Sequence, residues 1–183
     1  MKCSESLVDW RTRNEALLGR LVRATRDLDD ESLNRHPDPR TWSPAQVVEH
    51  MVLANRPYLQ TIQGGLAGAG RCTGDPPIRH SFFGRLLIKA AGPRGNAPAP
   101  KILHPRPVPT WLEVLAEWQQ QQTQLLSLLD QAAGVDLSSA PVRNPFVRVI
   151  RMNLADCLEI MTAHTERHVR QVEERVPQCF VAP

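Results

Sequence analysis

The sequence predicts an all-α fold, a four-helix bundle with a long crossover connection between helices 2 and 3. Four segments carry apolar residues at three-four spacing, and no segment of useful length alternates with period two. A stretch rich in proline and glycine separates the two middle segments, too long for a simple turn. The chain has 183 residues, enough for one good-sized domain and short for two, so 1–183 reads as a single domain.

The first helix is expected at about residues 5–29, where Leu7, Trp10, Leu17, Leu21 and Leu28 share a face and Asn14 is its polar gap. The second, about residues 44–62, opens on Ser43-Pro44-Ala45-Gln46. Serine is a favoured N-cap, proline suits the first helical position because its missing N–H is not needed there, and Gln46 completes a capping box. Val47, His50, Met51, Ala54 and Tyr58 form its buried stripe, and Pro57 should kink it or end it early. The third, about residues 111–133, opens on Thr110 and Glu113 as a second capping box, with Trp111, Leu115, Trp118, Leu125 and Leu129 along one side and Gly134 as its stop. Residues 119–122 are all glutamine and read as mostly solvent-facing, although Gln122 falls on the stripe. The fourth, about residues 153–176, begins near Asn153, carries Leu154, Leu158, Met161, His164, His168 and Val172 on one side, and ends before Pro177.

The connection, about residues 64–109, holds half of the 16 prolines, between Pro76 and Pro109. Such a chain cannot sustain a long helix. Residues 80–91 can form a short one, read as a lid on the bundle rather than a membrane-surface helix, because three turns with two charges make a poor anchor. Its apolar residues from Phe82 to Ile88 need burial, so the connection is expected to form one wall of a functional site or, alternatively, to pack at a dimer interface.

Composition narrows the function. Hydrophobic residues are 42% and charged residues 22%, ordinary globular values that exclude a disordered chain. Twenty-two basic residues against 19 acidic ones give +3, with both signs interleaved on the first helix, which fits a solvated face better than a nucleic-acid track. Aromatic residues are only 5%, too few for base stacking. The N-terminal MKCSESLVDW has no apolar signal core and no stretch approaches the length of a membrane span. Cys3, Cys72, Cys157 and Cys179 lie far apart and read as reduced thiols in a cytoplasm.

The informative residues are His50, His164 and His168. Each occupies a stripe position where leucine is expected, and His164 and His168 project from successive turns of one face. An unpaired polar group in a core costs about 1–3 kcal/mol, so three imidazoles aimed at one interior make a poor core. A divalent metal resolves the conflict, leaving a fourth position open as in catalytic zinc sites. His36 and His104, each beside a proline, read as turn residues, and His80 sits in the connection. No obvious general base accompanies the trio. Glu166 lies about 200° around the helix from His164 and Glu49 about 100° from His50, so both read as solvated helix charges. Cys157, two turns before His164, reads as a small buried hydrophobe rather than a ligand or redox thiol. Arg71, Arg79, Arg85, Arg94 and Arg106 in the connection are candidates to hold an anionic cofactor or substrate.

The run Trp42-Ser43-Pro44-Ala45-Gln46-Val47-Val48-Glu49-His50-Met51 resembles the W-S-x-x-x-v-x-x-H-l signature of the DinB/YfiT-like family, and His164-Thr165-Glu166-Arg167-His168-Val169-Arg170-Gln171 resembles its closing H-x-x-R-H-x-x-Q motif. These are damage-inducible four-helix proteins, distinct from the lesion-bypass polymerase that shares the name. The resemblance implies a metal site of His50, His164 and His168 holding zinc, nickel or a similar divalent ion. It also implies a metal-dependent hydrolase, or a transferase or isomerase that uses a low-molecular-weight thiol such as bacillithiol or mycothiol. The expected partner is a small-molecule substrate, with no nucleic acid or membrane, and a homodimer through the connection's apolar residues is the alternative use of that segment. Gln171 matches the family's trailing glutamine, either supporting a ligand or making a structural hydrogen bond. A non-catalytic metal-binding or stress-response interaction module is the alternative from a different class.

Overall fold

The computed structural model describes residues 1–95 and 98–180, the last two as backbone alone. Among the described residues the chain forms α1 (Cys3–Thr25), α2 (Asp30–Asn34), α3 (Pro44–Gly68), α4 (Phe82–Ala91), α5 (Trp111–Gln131) and α6 (Leu154–Arg175). Short 3-10 turns follow at Lys101–Leu103 and Pro177–Phe180, and two three-residue strands, β1 (Pro141–Arg143) and β2 (Arg151–Asn153), pair antiparallel between α5 and α6. The protein is thus mostly helical, with a sheet too short for a period-two signal. α3 packs against both α5 and α6, α1 against α6 and α5, and α4 against α6. No helix among the described residues is long and apolar enough to cross a membrane.

The helix starts follow sequence chemistry, with exceptions that have physical reasons. Ser43 Oγ accepts the Gln46 N–H at 3.2 Å and Gln46 Oε1 accepts the Ser43 N–H at 3.0 Å, the expected capping box. Asn153 and Asp156 form a second box at the start of α6. The box expected at Thr110 does not form; the Trp111 N–H is satisfied by Asp30 of α2 at 2.7 Å. α1 ends at Thr25 rather than near residue 29, because Asp29 caps α2, accepting the Ser32 N–H at 2.8 Å. α3 neither ends at Pro57 nor stops near residue 62, but runs to Gly68. The missing donor of Pro57 is outweighed by burial of Tyr58, Leu59 and Ile62 just beyond it. Gly134 ends the α5 turn at φ +75, a backbone that favours glycine.

The core forms two clusters that meet along α3 and α6. One gathers Trp10, Leu59, Ile62, Leu125, Leu158 and Met161; the other gathers Leu17, Leu21, Met51, Trp118, Val169 and Val172. Along α6 the first ends at Met161 and the second starts at Val169, so His164 and His168 fall in the gap. Asn14 is buried, donating to the Trp10 carbonyl at 2.7 Å and to Thr162 Oγ1 at 2.9 Å. Gln122 is buried, as its place on the stripe implies, and Gln121 is buried as well, against the solvent-facing reading of the rest of that run. Phe82, Phe83 and Leu86 are 64%, 47% and 52% exposed, so only part of the apolar face of α4 is covered, through Leu87, Ile88 and Ala91. Cys3, Cys72 and Cys157 are free thiols; the Cys179 side chain lies outside the described residues.

Candidate metal centre

His50 reaches the site from the second turn of α3, and His164 and His168 from adjacent turns of α6. Their ligand-capable nitrogens all lie within 4.8 Å of one another. His50 and His168 are buried and His164 is half-buried. The Leu103 carbonyl can only accept, so at 2.8 Å it takes the proton of His50 Nδ1 and leaves the Nε2 lone pair free. His168 Nδ1 is held in the same way by Gln171 Oε1 at 2.8 Å. His50 Nε2 and His164 Nε2 approach to 3.3 Å. Two nitrogens bound to one ion at about 2.0–2.1 Å and a tetrahedral angle would stand about 3.3–3.4 Å apart. The donor set therefore fits a divalent ion.

Protonation agrees. Burial pushes His164 down to about 3, helped by the neighbouring His50 and Arg167. Burial also lowers His50, and holds His168 well below the usual histidine range with the other two imidazoles adding to it. All three are neutral at physiological pH, the ligating form.

The trio forms part of the wall of a cavity of about 500 Å³. α3 contributes His50, Ala54, Asn55 and Tyr58; α6 contributes Ile160, Met161, His164, Arg167, His168, Gln171 and Arg175. The connection supplies Leu87, Ala90 and Ala91 from α4, then Pro98, Ala99, Pro100, Leu103 and His104. The expected wall is present, built by the inner face of α4 and the segment after it rather than by Phe82, Phe83 and Leu86. Trp42 packs against His50 at a tilt, 5.0 Å between ring centroids, and meets His104 edge-on at 5.6 Å. No aspartate or glutamate is among the residues lining this cavity.

Other sequence candidates lie elsewhere. Glu49 is buried rather than solvated, and its carboxylate takes both the backbone N–H and the guanidinium of Arg106, pinning the connection to α3. Glu166 faces α1, where Arg13 Nη2 donates to it at 3.2 Å. Cys157 is fully buried and burial pushes its thiol far up, which keeps it inert. None of the five connection arginines lines the cavity; Arg71 and Arg85 donate to the Ala133 and His80 carbonyls and Arg106 binds Glu49. His36 binds the Thr41 carbonyl in its turn, while His104 lines the cavity. His80 pairs instead with Asp156 at 2.9 Å, and Ser81 Oγ donates to the same carboxylate at 2.6 Å. Burial alone would raise Asp156, but hydrogen bonds from His80, Ser81 and Asn153 hold it below its ordinary range.

Among the cavity residues to which sequence reasoning gave no role are Trp42, Asn55, Leu103, Phe146, Arg167 and Arg175. Arg167 was visible as the arginine inside the second histidine motif, next to His168; Asn55 carried no signal beyond its place near the stripe of α3.

Neither the curated proteins nor the solved structures contain a match. A family model described as the DinB superfamily matches residues 13–172, a span that takes in all three histidines, Gln171 and every element that positions them. With most of its length matched and the histidine trio assembled within that match, the chain belongs to the DinB superfamily.

Proposed function

We propose that the protein is a metal-dependent enzyme that transfers a low-molecular-weight thiol to a small electrophile, with His50, His164 and His168 holding one divalent ion, zinc or nickel. In this reading α1, α3, α5 and α6 are a four-helix bundle within one domain, and the segment carrying α4 is its crossover. The observation that carries the proposal is the convergence of three neutral imidazoles on the wall of a largely apolar cavity. When bound, such an ion supplies a Lewis acid that lowers the pKa of a water or thiol at its open position. Leu103 and Gln171 fix the ring orientations of His50 and His168. Tyr58, Phe146, Ile160 and Met161 give the substrate a dry bed. The lack of a lining carboxylate favours a thiol over hydrolytic water, because no acid side chain stands ready to take the proton of a water. A small-molecule substrate suits a cavity of this volume better than nucleic acid or membrane. The exposed Phe82, Phe83 and Leu86 are the surface we assign to a homodimer contact, and the free thiols suit a reducing cytoplasm.

Metal analysis of purified protein and of His164→Ala, with turnover of a small electrophile by several thiols, tests this. One ion per chain in wild type and a loss of most of it in the variant are expected, with turnover that needs both metal and thiol. Turnover with metal and no thiol would make the protein a hydrolase. Full metal content without any turnover would make it a non-catalytic metal-binding module.

A further inference from the structure

The cavity has a charge pattern that the metal reading does not use. Its lining includes two guanidiniums, Arg167 and Arg175, and no carboxylate. Arg175 donates to the Trp42 carbonyl at 2.9 Å. Arg167 is half-buried, and its one hydrogen bond among the described residues is a long one to the Ala90 carbonyl at 3.4 Å. It has no acidic partner among the described residues, whereas on the same helix Arg170 pairs with Glu174, and across from it Arg13 and Arg20 on α1 pair with glutamates of α6. A half-buried guanidinium without a counter-charge is costly unless a ligand supplies one. Nor do three neutral histidines bring negative charge when they bind a divalent ion.

A second, independent observation lies across the cavity on α3. Asn55 is 1% exposed, lines the cavity, and its Nδ2 has no hydrogen-bond partner among the described residues. A buried amide N–H left unpaired costs about 1–3 kcal/mol, which an acceptor oxygen in the cavity would recover. The rest of the bed is apolar. α3 and α6 run antiparallel, since a side chain at Gly65 would strike Leu154 while His50 meets His164. The cavity is therefore polar at the histidine end and apolar about 12 Å along α3, near Tyr58 and Phe146.

We propose that the cavity takes an organic anion whose acidic head, most simply a carboxylate, is held by Arg167 with help from Asn55, and whose aryl or alkyl body lies along Tyr58, Phe146 and Met161. The proposal deepens the enzyme reading by naming its substrate class, and rests on this cavity being the working site. Arg167 is a binding residue here: a planar fork that takes both carboxylate oxygens.

Calorimetric titration tests it, using 4-phenylbutyrate and its neutral amide on zinc-loaded and on chelated protein. The anion should bind about tenfold or more tighter than the amide. Arg167→Met should erase that preference while the zinc content and melting temperature stay at wild-type values, and Arg167→Lys should restore part of it. Equal binding of acid and amide by wild type would overturn the proposal, as would a preference that survives in Arg167→Met. So would a preference that vanishes on chelation with Arg167 intact, because the metal alone would then be reading the charge. Failure of the metal reading looks different: no zinc is taken up, yet the Arg167-dependent preference remains. Competition with N-acetylcysteine and its methyl ester separates the two sources of the carboxylate. Displacement by the acid alone supports the proposal with the thiol's own carboxylate in the seat, and displacement by neither supports it with the second substrate there.

Discussion

His50 shows how much a single side chain reveals before its surroundings are known. A histidine on an apolar stripe must satisfy two ring nitrogens, and that requirement, with His164 and His168, made the trio legible in the sequence. What was not legible is which group holds each second nitrogen, because Leu103 arrives from an irregular segment that no periodicity predicts. Gln171 is the exception, one turn from His168 on the same helix. Gln171→Leu is expected to weaken zinc affinity about 10–100-fold with the fold unchanged, measured by competition with a chromogenic chelator. The depressed histidines also set a pH dependence. Their unfolded value is 6.5 and their folded values are lower, so between the two the unfolded chain binds more protons. Their contribution to the stability of metal-free protein is complete above about pH 6.5 and is lost as pH falls through the folded values. Urea unfolding of chelated protein at pH 7.5 and 5.5 should show a steeper loss for wild type than for His168→Leu. For the same reason zinc affinity should hold at pH 6, where free imidazole is already half-protonated or more.

At the scale of elements, α4 is the instructive case. Residues 80–91 read as a short helix, and the structure starts it at Phe82, where Ser81 caps it, its Oγ accepting the Gly84 N–H at 2.9 Å. Where that helix docks was hidden. It docks through the Asp156 carboxylate, whose partners His80 and Ser81 lie 76 and 75 residues away. It also docks through Gly84, where a Cβ would come within 2.1 Å of the Asp156 carboxyl. Asp156 is fully buried and held by several hydrogen bonds, so it cannot move aside. Gly84→Ala is therefore expected to cost about 1–3 kcal/mol in chemical unfolding, in the range of overpacked cores. Faster amide exchange over α4 should accompany it, with metal content unchanged. The β1–β2 pair escaped the sequence reading for another reason: three residues a strand are too few for alternation to stand out. Glu49 was misjudged by helix geometry alone, since its partner Arg106 belongs to the connection.

The whole molecule has two apolar clusters, each built from more than one helix, and the histidines bridge α3 and α6 between them. Helix faces made this arrangement readable in outline, because stripes declare what must be buried. They did not declare the order of neighbours, which depends on how the connection is tied down. A core that already closes on both sides of the site does not need an ion to fold. Chelation is expected to lower the melting temperature by about 5–10 °C for an ion present at a hundred times its Kd, with the helical circular dichroism kept at 25 °C. Collapse of that signal on chelation would make the site structural rather than catalytic.

The Leu103 carbonyl belongs to two things at once: it orients His50, and its residue is part of the cavity wall. An ion held by His50 and an occupant of the cavity would therefore not act independently. An occupant that presses the 3-10 turn towards α3 steadies the imidazole, and one that draws it away lets the ring turn. By thermodynamic reciprocity, whatever factor the occupant applies to the ion's affinity, the ion returns to the occupant's. In the proposed reading the connection thus couples the two, and selectivity for a metal and selectivity for a substrate would have to change together in any variant that resets that one carbonyl.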